Sequence, residues 1–122
     1  KDVILIDDMI SSGKSILEIA SLLKARGAGK IFICTTFGLF TDGMDKFDKA
    51  YKDGIFDKLL TTNLVYQTPD LLSKPYYISC DMSKYIALII DTLNHDMSVS
   101  HLLNPVDRIK RCVTNYMARY DK

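Results

Sequence analysis

Hydrophobic residues along the chain gather in short continuous runs that alternate with segments of helical periodicity. Runs of strand length, rich in β-branched and aromatic residues, lie at residues 3–7, 30–36, 56–62 and 76–79. They predict four strands, the first of them buried on both faces. Because helical segments separate the strands, we expect an α/β fold with a mostly parallel sheet and helices on both faces.

Apolar residues spaced three and four positions apart predict the helices. These helices are expected to begin near residues 15, 42, 83 and 104. The last has the clearest start signal, because Asn104 is a preferred N-cap residue and Pro105 suits the first helical position. An apolar face runs along this helix, so we expect it to dock against another surface. That face comprises Val106, Ile109, Val113 and Met117.

The overall composition is that of an ordinary globular protein. Of 122 residues, 48% are hydrophobic and 25% are charged, and the length suits one domain with a single core. A formal net charge of +1 gives no general attraction to nucleic acid or to an anionic membrane. No apolar run approaches the roughly 20 residues of a membrane span. We therefore expect neither nucleic acid nor a membrane as a partner.

Cysteine and histidine positions predict no metal site. Cys34, Cys80 and Cys112 are scattered and odd in number, which argues against a disulfide framework or a zinc site. His95 and His101 have no cysteine nearby that would complete a metal site with them.

The segment after the first predicted strand ends like a nucleotide-binding P-loop. Residues 3–15 read VILIDDMISSGKS, and the final three match the end of the pattern G-x-x-x-x-G-K-[ST]. That pattern requires glycine at residue 8, where this chain has Asp8. Because a carboxylate at this position would repel a triphosphate, we exclude an ATP-type P-loop.

A single phosphate group fits the same segment better than a polyphosphate does. The segment joins a strand end to a helix start, where the first helical amides lack intrahelical partners and can bind an anion. Serine hydroxyls and a lysine charge add donors, and a glycine permits close approach of the backbone. The candidate phosphate-binding residues are Ser11, Ser12, Gly13, Lys14 and Ser15.

Two adjacent carboxylates precede this segment. Asp7 and Asp8 can accept paired hydrogen bonds, which suits the vicinal hydroxyls of a sugar or a hydrated Mg²⁺ ion. Because side chains alternate along a strand, the two acids are expected to point in different directions. Together with residues 11–15, called the phosphate segment because it is the candidate phosphate-binding segment, they predict a sugar phosphate as ligand. On spacing alone, a simple helix cap with solvated acids stays open as an alternative.

Residues 3–15 resemble the phosphoribosyl-diphosphate-binding motif of type I phosphoribosyltransferases. Their Asp-Asp-Met-Ile segment is most similar to the ribose-phosphate diphosphokinases, also called ribose-phosphate pyrophosphokinases or PRPP synthetases. Further segments resemble that family in the same order, namely TFGLF at 36–40, FDKLLTTN at 56–63, DMSK at 81–84 and SVSHLL at 98–103. The resemblance identifies the chain as the C-terminal portion of such an enzyme, with a type I phosphoribosyltransferase fold. Because a buried parallel strand needs neighbours on both sides, we expect a fragment that lacks its preceding strands.

The resemblance carries expectations about activity. The family transfers the diphosphoryl group of ATP, with Mg²⁺, to the 1-hydroxyl of ribose 5-phosphate, which makes PRPP (phosphoribosyl diphosphate) for nucleotide biosynthesis. It implies that Asp7 and Asp8 bind the ribose hydroxyls and that residues 11–15 hold the 5-phosphate. It places the catalytic residues and most Mg²⁺ ligands outside this portion, so we expect the chain by itself to be inactive.

The resemblance also carries expectations about organisation. It implies a cytoplasmic homo-oligomer, and the open edge of a truncated sheet would also favour association between copies. Residues 1–103 would be the ribose-phosphate-binding portion, and residues 104–122 a helical extension.

Three positions depart from the family pattern. Ser11 replaces a third acid, Lys14 replaces a glycine and Phe37 replaces a histidine. If residue 14 had a positive φ, a lysine there would cost about 1 kcal/mol. The departures leave two alternatives open. One is a non-catalytic regulatory or scaffold relative, and the other is a PRPP-dependent phosphoribosyltransferase, which expects the acid that Ser11 replaces.

Overall fold

Four parallel strands form a sheet in a computed structural model of the chain, which describes residues 1–120 without the side chains of residues 101, 103 and 120. The strands are β1 (Val3–Ile10), β2 (Ile31–Gly38), β3 (Lys58–Thr62) and β4 (Tyr77–Cys80). Their order across the sheet is β1-β2-β3-β4, and each neighbouring pair is parallel. The predicted α/β class with a parallel sheet is confirmed.

The helices follow the predicted order, with two short additions. They are α1 (Lys14–Ala25), α2 (Asp45–Lys52), α3 (Pro69–Ser73), α4 (Ser83–Asn94), α5 (Ser100–Leu103) and α6 (Val106–Tyr120). The four predicted helices begin within three residues of the expected positions. The pattern gave no sign of α3 and α5 because segments of 5 and 4 residues are too short to show helical periodicity. The chain divides into two compact units, Lys1–Met82 and Ser83–Lys122.

The helices of the first unit pack on one face of the sheet, because residues of α1, α2 and α3 share one core cluster. Because the strand order follows the chain order, every crossover advances in the same direction, and crossovers of the usual right hand would all place their helices on the same side. One row of residues, aligned across the sheet, points to this side: Leu5, Ile33, Leu59 and Tyr77. It packs against helical residues of the core, among them Ile16, Ala20, Phe47 and Leu71. The expectation of helices on the other face stays a prediction.

The outer face of β1 is open. Ile4 and Ile6 alternate away from the helices of the first unit, and their side chains are 63% and 82% exposed. Since β1 is also an edge strand, the expectation that it is buried on both faces is wrong within the first unit. A continuous apolar run shows that a strand could be buried on both faces, but the run does not identify what would cover it.

The second unit contains α4, α5 and α6. The Tyr85 hydroxyl donates to the Leu102 carbonyl oxygen at 2.8 Å, and the Arg108 guanidinium lies 5.2 Å from the Tyr85 ring centroid. The predicted start of α6 is confirmed, because the Val106 N–H donates to Asn104 Oδ1 at 3.1 Å. None of the described helices is both long and apolar enough to cross a membrane.

The apolar face of α6 is exposed. The four predicted residues, Val106, Ile109, Val113 and Met117, are between 46% and 56% accessible. Tyr116, which the prediction did not include, extends this face and is 59% accessible. The predicted docking of this face is therefore not found within the described part of the second unit. The boundary between residues 1–103 and 104–122 stays a prediction.

Candidate functional site

The two predicted sugar-binding acids lie inside β1 and not at its end. The strand runs three residues beyond the predicted residue 7, and its pairing with β2 continues until Ile10 lies opposite Gly38. Asp7 is aligned with Thr35 of β2. The apolar run underestimates the strand because it stops at the acids, whereas the backbone hydrogen bonds do not depend on side-chain polarity.

A pocket of about 170 Å³ lies between the end of β1 and the start of α1. Its lining consists of Asp7 and residues 9–16. The pocket thus brings Asp7 together with all five predicted phosphate-binding residues, 11–15. Asp8 is exposed and is not among the described residues that line this pocket. The backbone N–H of Asp8 donates to Asp7 Oδ1 at 2.9 Å. Of the two acids, Asp7 lines the pocket and Asp8 does not.

The first turn of α1 faces this pocket. Gly13 is the N-cap residue, has φ +79° and has no side chain to cap the helix, and the Lys14 N–H makes a long contact of 3.5 Å with Ser12 Oγ. The first turn carries no acidic residue. The first amides of a helix lack intrahelical acceptors and carry partial positive charge, which makes this end of α1 a suitable place for an anion.

The position of Gly13 is set by Phe47 of α2, which is fully buried. A Cβ atom built on Gly13 would lie 2.3 Å from Phe47 Cζ, so a side chain does not fit between them. Phe40 packs edge-on against Phe47, with ring centroids 5.3 Å apart. The sequence analysis gave no signal that Phe47 supports residues 11–15.

The loop after β2 holds the same segment from the other side. The Leu39 N–H donates to the Ile10 carbonyl oxygen at 2.9 Å, and the Thr41 N–H donates to the Ser11 carbonyl oxygen at 3.1 Å. Phe40 has a positive φ of +47°, which turns its ring toward the core. The two backbone hydrogen bonds bring the TFGLF segment, which was identified only by resemblance, beside the pocket.

Lys14 does not strain the loop. It is the first residue of α1, and the positive φ belongs to Gly13 before it. Its side chain is 76% exposed, with Nζ 4.0 Å from a Glu18 carboxylate oxygen. The conditional cost of about 1 kcal/mol for a lysine at a positive φ therefore does not apply to Lys14. Phe37, the third departure, is 39% exposed on β2 opposite Met9.

Polar side chains continue from Asp7 across the sheet. Asp7, Thr35, Thr61 and Ser79 are aligned on successive strands. The Thr61 hydroxyl is hydrogen-bonded to the Tyr77 hydroxyl, which also accepts from Gln67 Nε2 at 2.7 Å. The burial that accompanies this network raises the pKa of Tyr77. The sequence analysis did not identify this row, because its members are common strand residues at unremarkable spacing.

A second polar cluster ties α2 to the segment before β4. Asp48 accepts from Lys74 Nζ at 2.8 Å and from the Tyr76 hydroxyl at 2.7 Å. The hydrogen bond from Lys74 lowers the pKa of Asp48. This cluster lies away from the residues that line the pocket, and its geometry is that of a structural clamp.

The described residues include no group of three or more histidine, cysteine or acidic side chains that could hold a metal ion. Asp7 and Asp8 could provide at most two protein ligands. Mg²⁺ is commonly bound by one or two carboxylates together with substrate phosphates and water, so the two acids are compatible with that kind of site.

Comparison with known proteins gives a consistent picture. The sequence model of a family described as phosphoribosyl synthetase-associated domain matches residues 1–104. A ribose-phosphate pyrophosphokinase from Mycoplasmopsis pulmonis is 28% identical over 104 residues, which cover 84% of this chain and 31% of that protein. The enzyme of the same name from Mycoplasma pneumoniae is 35% identical over 69 residues, 56% of this chain and 21% of that protein.

A solved structure agrees with this sequence similarity. The crystal structure of phosphoribosylpyrophosphate synthetase from Mycobacterium smegmatis matches with a TM-score of 0.68 and 25% identity. The match covers 79% of this chain and 31% of that one. The chain therefore spans about a third or less of the length of these proteins.

Proposed function

Since the chain belongs to the phosphoribosyl synthetase-associated domain family, we propose that it is the ribose-phosphate-binding part of an enzyme that makes PRPP from ATP and ribose 5-phosphate. The predicted family is confirmed, and the relatives that carry the name ribose-phosphate pyrophosphokinase support this activity for the whole protein. That the chain corresponds to the C-terminal portion of the family's enzymes stays a prediction.

One observation carries the proposal: Asp7 and residues 11–15 line the same small pocket. The pocket volume of about 170 Å³ suits a phosphate group and part of a sugar better than a complete nucleotide. The amides at the start of α1, the serine hydroxyls and the Lys14 charge would bind the 5-phosphate. The Asp7 carboxylate, at the other end of the lining, would accept hydrogen bonds from ribose hydroxyls.

The role of Asp8 differs from that of Asp7 in this proposal. Because Asp8 is outside the pocket lining, we propose that it contacts the sugar from the outer side or supplies a ligand to Mg²⁺. Bound Mg²⁺ would neutralise charge that develops on the transferred diphosphoryl group. The residues of this chain would hold and orient the acceptor sugar.

The chain has a binding role in this proposal and no assigned catalytic residue. Phosphoryl transfer needs cations placed at the developing charge, and we assign no such cation among the described residues. Purified chain mixed with ATP, ribose 5-phosphate and Mg²⁺ should therefore form no AMP and no PRPP. Production of PRPP by the chain would contradict this part of the proposal.

Titration calorimetry with ribose 5-phosphate, with and without Mg²⁺, tests the binding role. The serines of the chain provide a matched pair of variants. Ser12→Ala removes a hydroxyl from the pocket lining and should weaken binding about tenfold, because it removes a hydrogen bond to a charged group. Ser21→Ala removes a hydroxyl that donates to Leu17 within α1, and it should leave the affinity unchanged.

The outcome separates this proposal from the alternatives. A folded chain that gives no heat at millimolar ribose 5-phosphate would favour a regulatory or scaffold relative, the alternative that the departures at Ser11, Lys14 and Phe37 leave open. The family assignment favours PRPP synthesis over a PRPP-dependent phosphoribosyltransferase.

We also propose that copies of the chain associate. Two exposed apolar surfaces support this: the outer face of β1 with Ile4 and Ile6, and the apolar face of α6. Of the two, the face of α6 has the regular spacing of a helix-packing seam. A cytoplasmic location is supported by the resemblance to the family and stays a prediction.

A further inference from the structure

The Thr35 side chain is buried without a hydrogen-bond partner. Thr35 lies in β2 and is 6% exposed, and its Oγ1 is the buried side-chain oxygen that lacks a partner among the residues the structure describes. Proteins leave few such groups unpaired, and an orphaned hydroxyl next to a binding pocket needs an explanation.

The neighbours of Thr35 on the two flanking strands are both polar. Thr61 of β3 is aligned with it on one side and Asp7 of β1 on the other. The Thr61 hydroxyl is already engaged with the Tyr77 hydroxyl and lies 3.3 Å from the Thr62 carbonyl oxygen. A carboxylate offers about four acceptor positions, and the Asp8 N–H occupies one of those on Asp7. Asp7 is therefore the aligned neighbour with the larger unused acceptor capacity, and it is the charged one.

Asp7 also lines the pocket, which links the buried hydroxyl to the site. We propose that Thr35 is a positioning residue, whose hydroxyl donates to the Asp7 carboxylate when ribose 5-phosphate is bound and holds that carboxylate toward the sugar hydroxyls. This inference rests on the proposed function. A hydroxyl that donates to a charged acceptor forms a stronger hydrogen bond than a neutral pair. The Thr35 side chain is buried, whereas Asp7 is exposed, so the hydroxyl can reach the carboxylate while the carboxylate stays open to the sugar.

The binding of two ligands tests the proposal. Thr35→Val removes the hydroxyl and nearly keeps the shape, and it should weaken the binding of ribose 5-phosphate about tenfold. Inorganic phosphate touches only the phosphate segment, so its affinity should not change. Thr35→Ser keeps a hydroxyl and should bind ribose 5-phosphate within about twofold of the unmodified chain.

A double-variant cycle separates an effect through Asp7 from a direct one. In a chain that carries Asp7→Ala, adding Thr35→Val should cause no further loss of affinity, because the acceptor is absent. Calorimetry at millimolar ligand can follow such weak binding. Thermal unfolding of Thr35→Val should show equal or greater stability, since the change removes an unpaired buried hydroxyl.

The possible results differ clearly. If Thr35→Val binds ribose 5-phosphate as well as the unmodified chain does, the inference is wrong and the proposed function stands. If Thr35→Val loses stability and weakens both ligands equally, Thr35 has a structural role and the inference is again wrong. If the folded unmodified chain binds phosphate but not ribose 5-phosphate, the proposed function fails and this inference fails with it.

Discussion

The ring of Phe47 occupies the space that a side chain at Gly13 would need. A Cβ atom on Gly13 would lie 2.3 Å from Phe47 Cζ and 2.4 Å from Cε2. Because Phe47 is fully buried, the ring has little freedom to move aside. The phosphate segment is therefore held by a core residue of another helix, and its glycine is required by both φ and packing.

Replacing Gly13 by alanine should damage the pocket. The φ of +79° is unfavourable for alanine by about 1 kcal/mol, and the contact with Phe47 adds an overpacking cost of about 1–3 kcal/mol. We expect Gly13→Ala to lower the free energy of unfolding by the sum of these costs. Affinity for ribose 5-phosphate should fall at least tenfold. Urea unfolding and calorimetry measure the two effects.

Gly27 provides the matched control. It also has a positive φ, +85°, but a Cβ atom there would meet nothing within 4 Å. Gly27→Ala should cost only the backbone term of about 1 kcal/mol and should leave the affinity for ribose 5-phosphate unchanged. Equal losses of stability and affinity in the two variants would show that Phe47 does not constrain residue 13.

Lys14 should help binding modestly. Its side chain is 76% exposed at the pocket rim, where water and salt weaken its attraction to a phosphate. Lys14→Ala should lower the affinity for ribose 5-phosphate about two- to fivefold at low salt, and less at high salt. Lys52→Ala, at the far end of α2, removes the same charge away from the pocket and should have no effect. An increase in affinity on Lys14→Ala would show that the lysine crowds the phosphate.

The order of strands and helices was predictable because it depends on local periodicity. The runs at residues 3–7 and 30–36 marked β1 and β2, although β1 proved longer and open on its outer face. What covers a face depends on residues far away in the sequence, and periodicity carries no information about them. For the same reason the exposed face of α6 could not be distinguished from a docked one.

The site was predictable as far as it is contiguous. Residues 11–15 follow one another in the chain, so their shared position at a helix start could be inferred from spacing and resemblance. Phe47 and Thr35 reach the same region from α2 and β2. Their relationship to the pocket depends on register and packing, which emerge only when the sheet and its helices are assembled.

The hydrogen bonds that Asp48 accepts from Lys74 and Tyr76 should make the free energy of unfolding depend on pH. Hydrogen bonds from Lys74 and the Tyr76 hydroxyl hold the pKa of Asp48 below its usual value of about 4. In the folded chain the carboxylate thus stays ionised at a pH where it would be protonated in the unfolded chain. This contribution is complete above the unfolded pKa, and it is lost as the pH falls through the folded pKa. Urea unfolding between neutral and acidic pH measures it.

Asp48→Asn should remove that dependence. We expect the free energy of unfolding at neutral pH to fall by about 1–2 kcal/mol, because the hydrogen bonds lose a charged acceptor. The loss on acidification should be smaller than in the unmodified chain. Asp45→Asn, on the exposed side of the same helix, should keep the acid dependence that Asp48 causes. Parallel acid profiles for the unmodified chain and Asp48→Asn would contradict this role of Asp48.

Association of copies should depend on the apolar face of α6. Val106, Ile109, Val113 and Tyr116 follow the alternating three- and four-residue spacing of a coiled-coil seam. Val113→Glu places a charge in the centre of this face and should raise the dissociation constant at least tenfold, because the charge would be buried on association. Thr114→Glu adds the same charge to the neighbouring exposed position and should change little. Sedimentation velocity over a range of concentrations, with helix content checked by circular dichroism, compares them. A monomeric unmodified chain, or equal association in both variants, would exclude α6 as the contact surface.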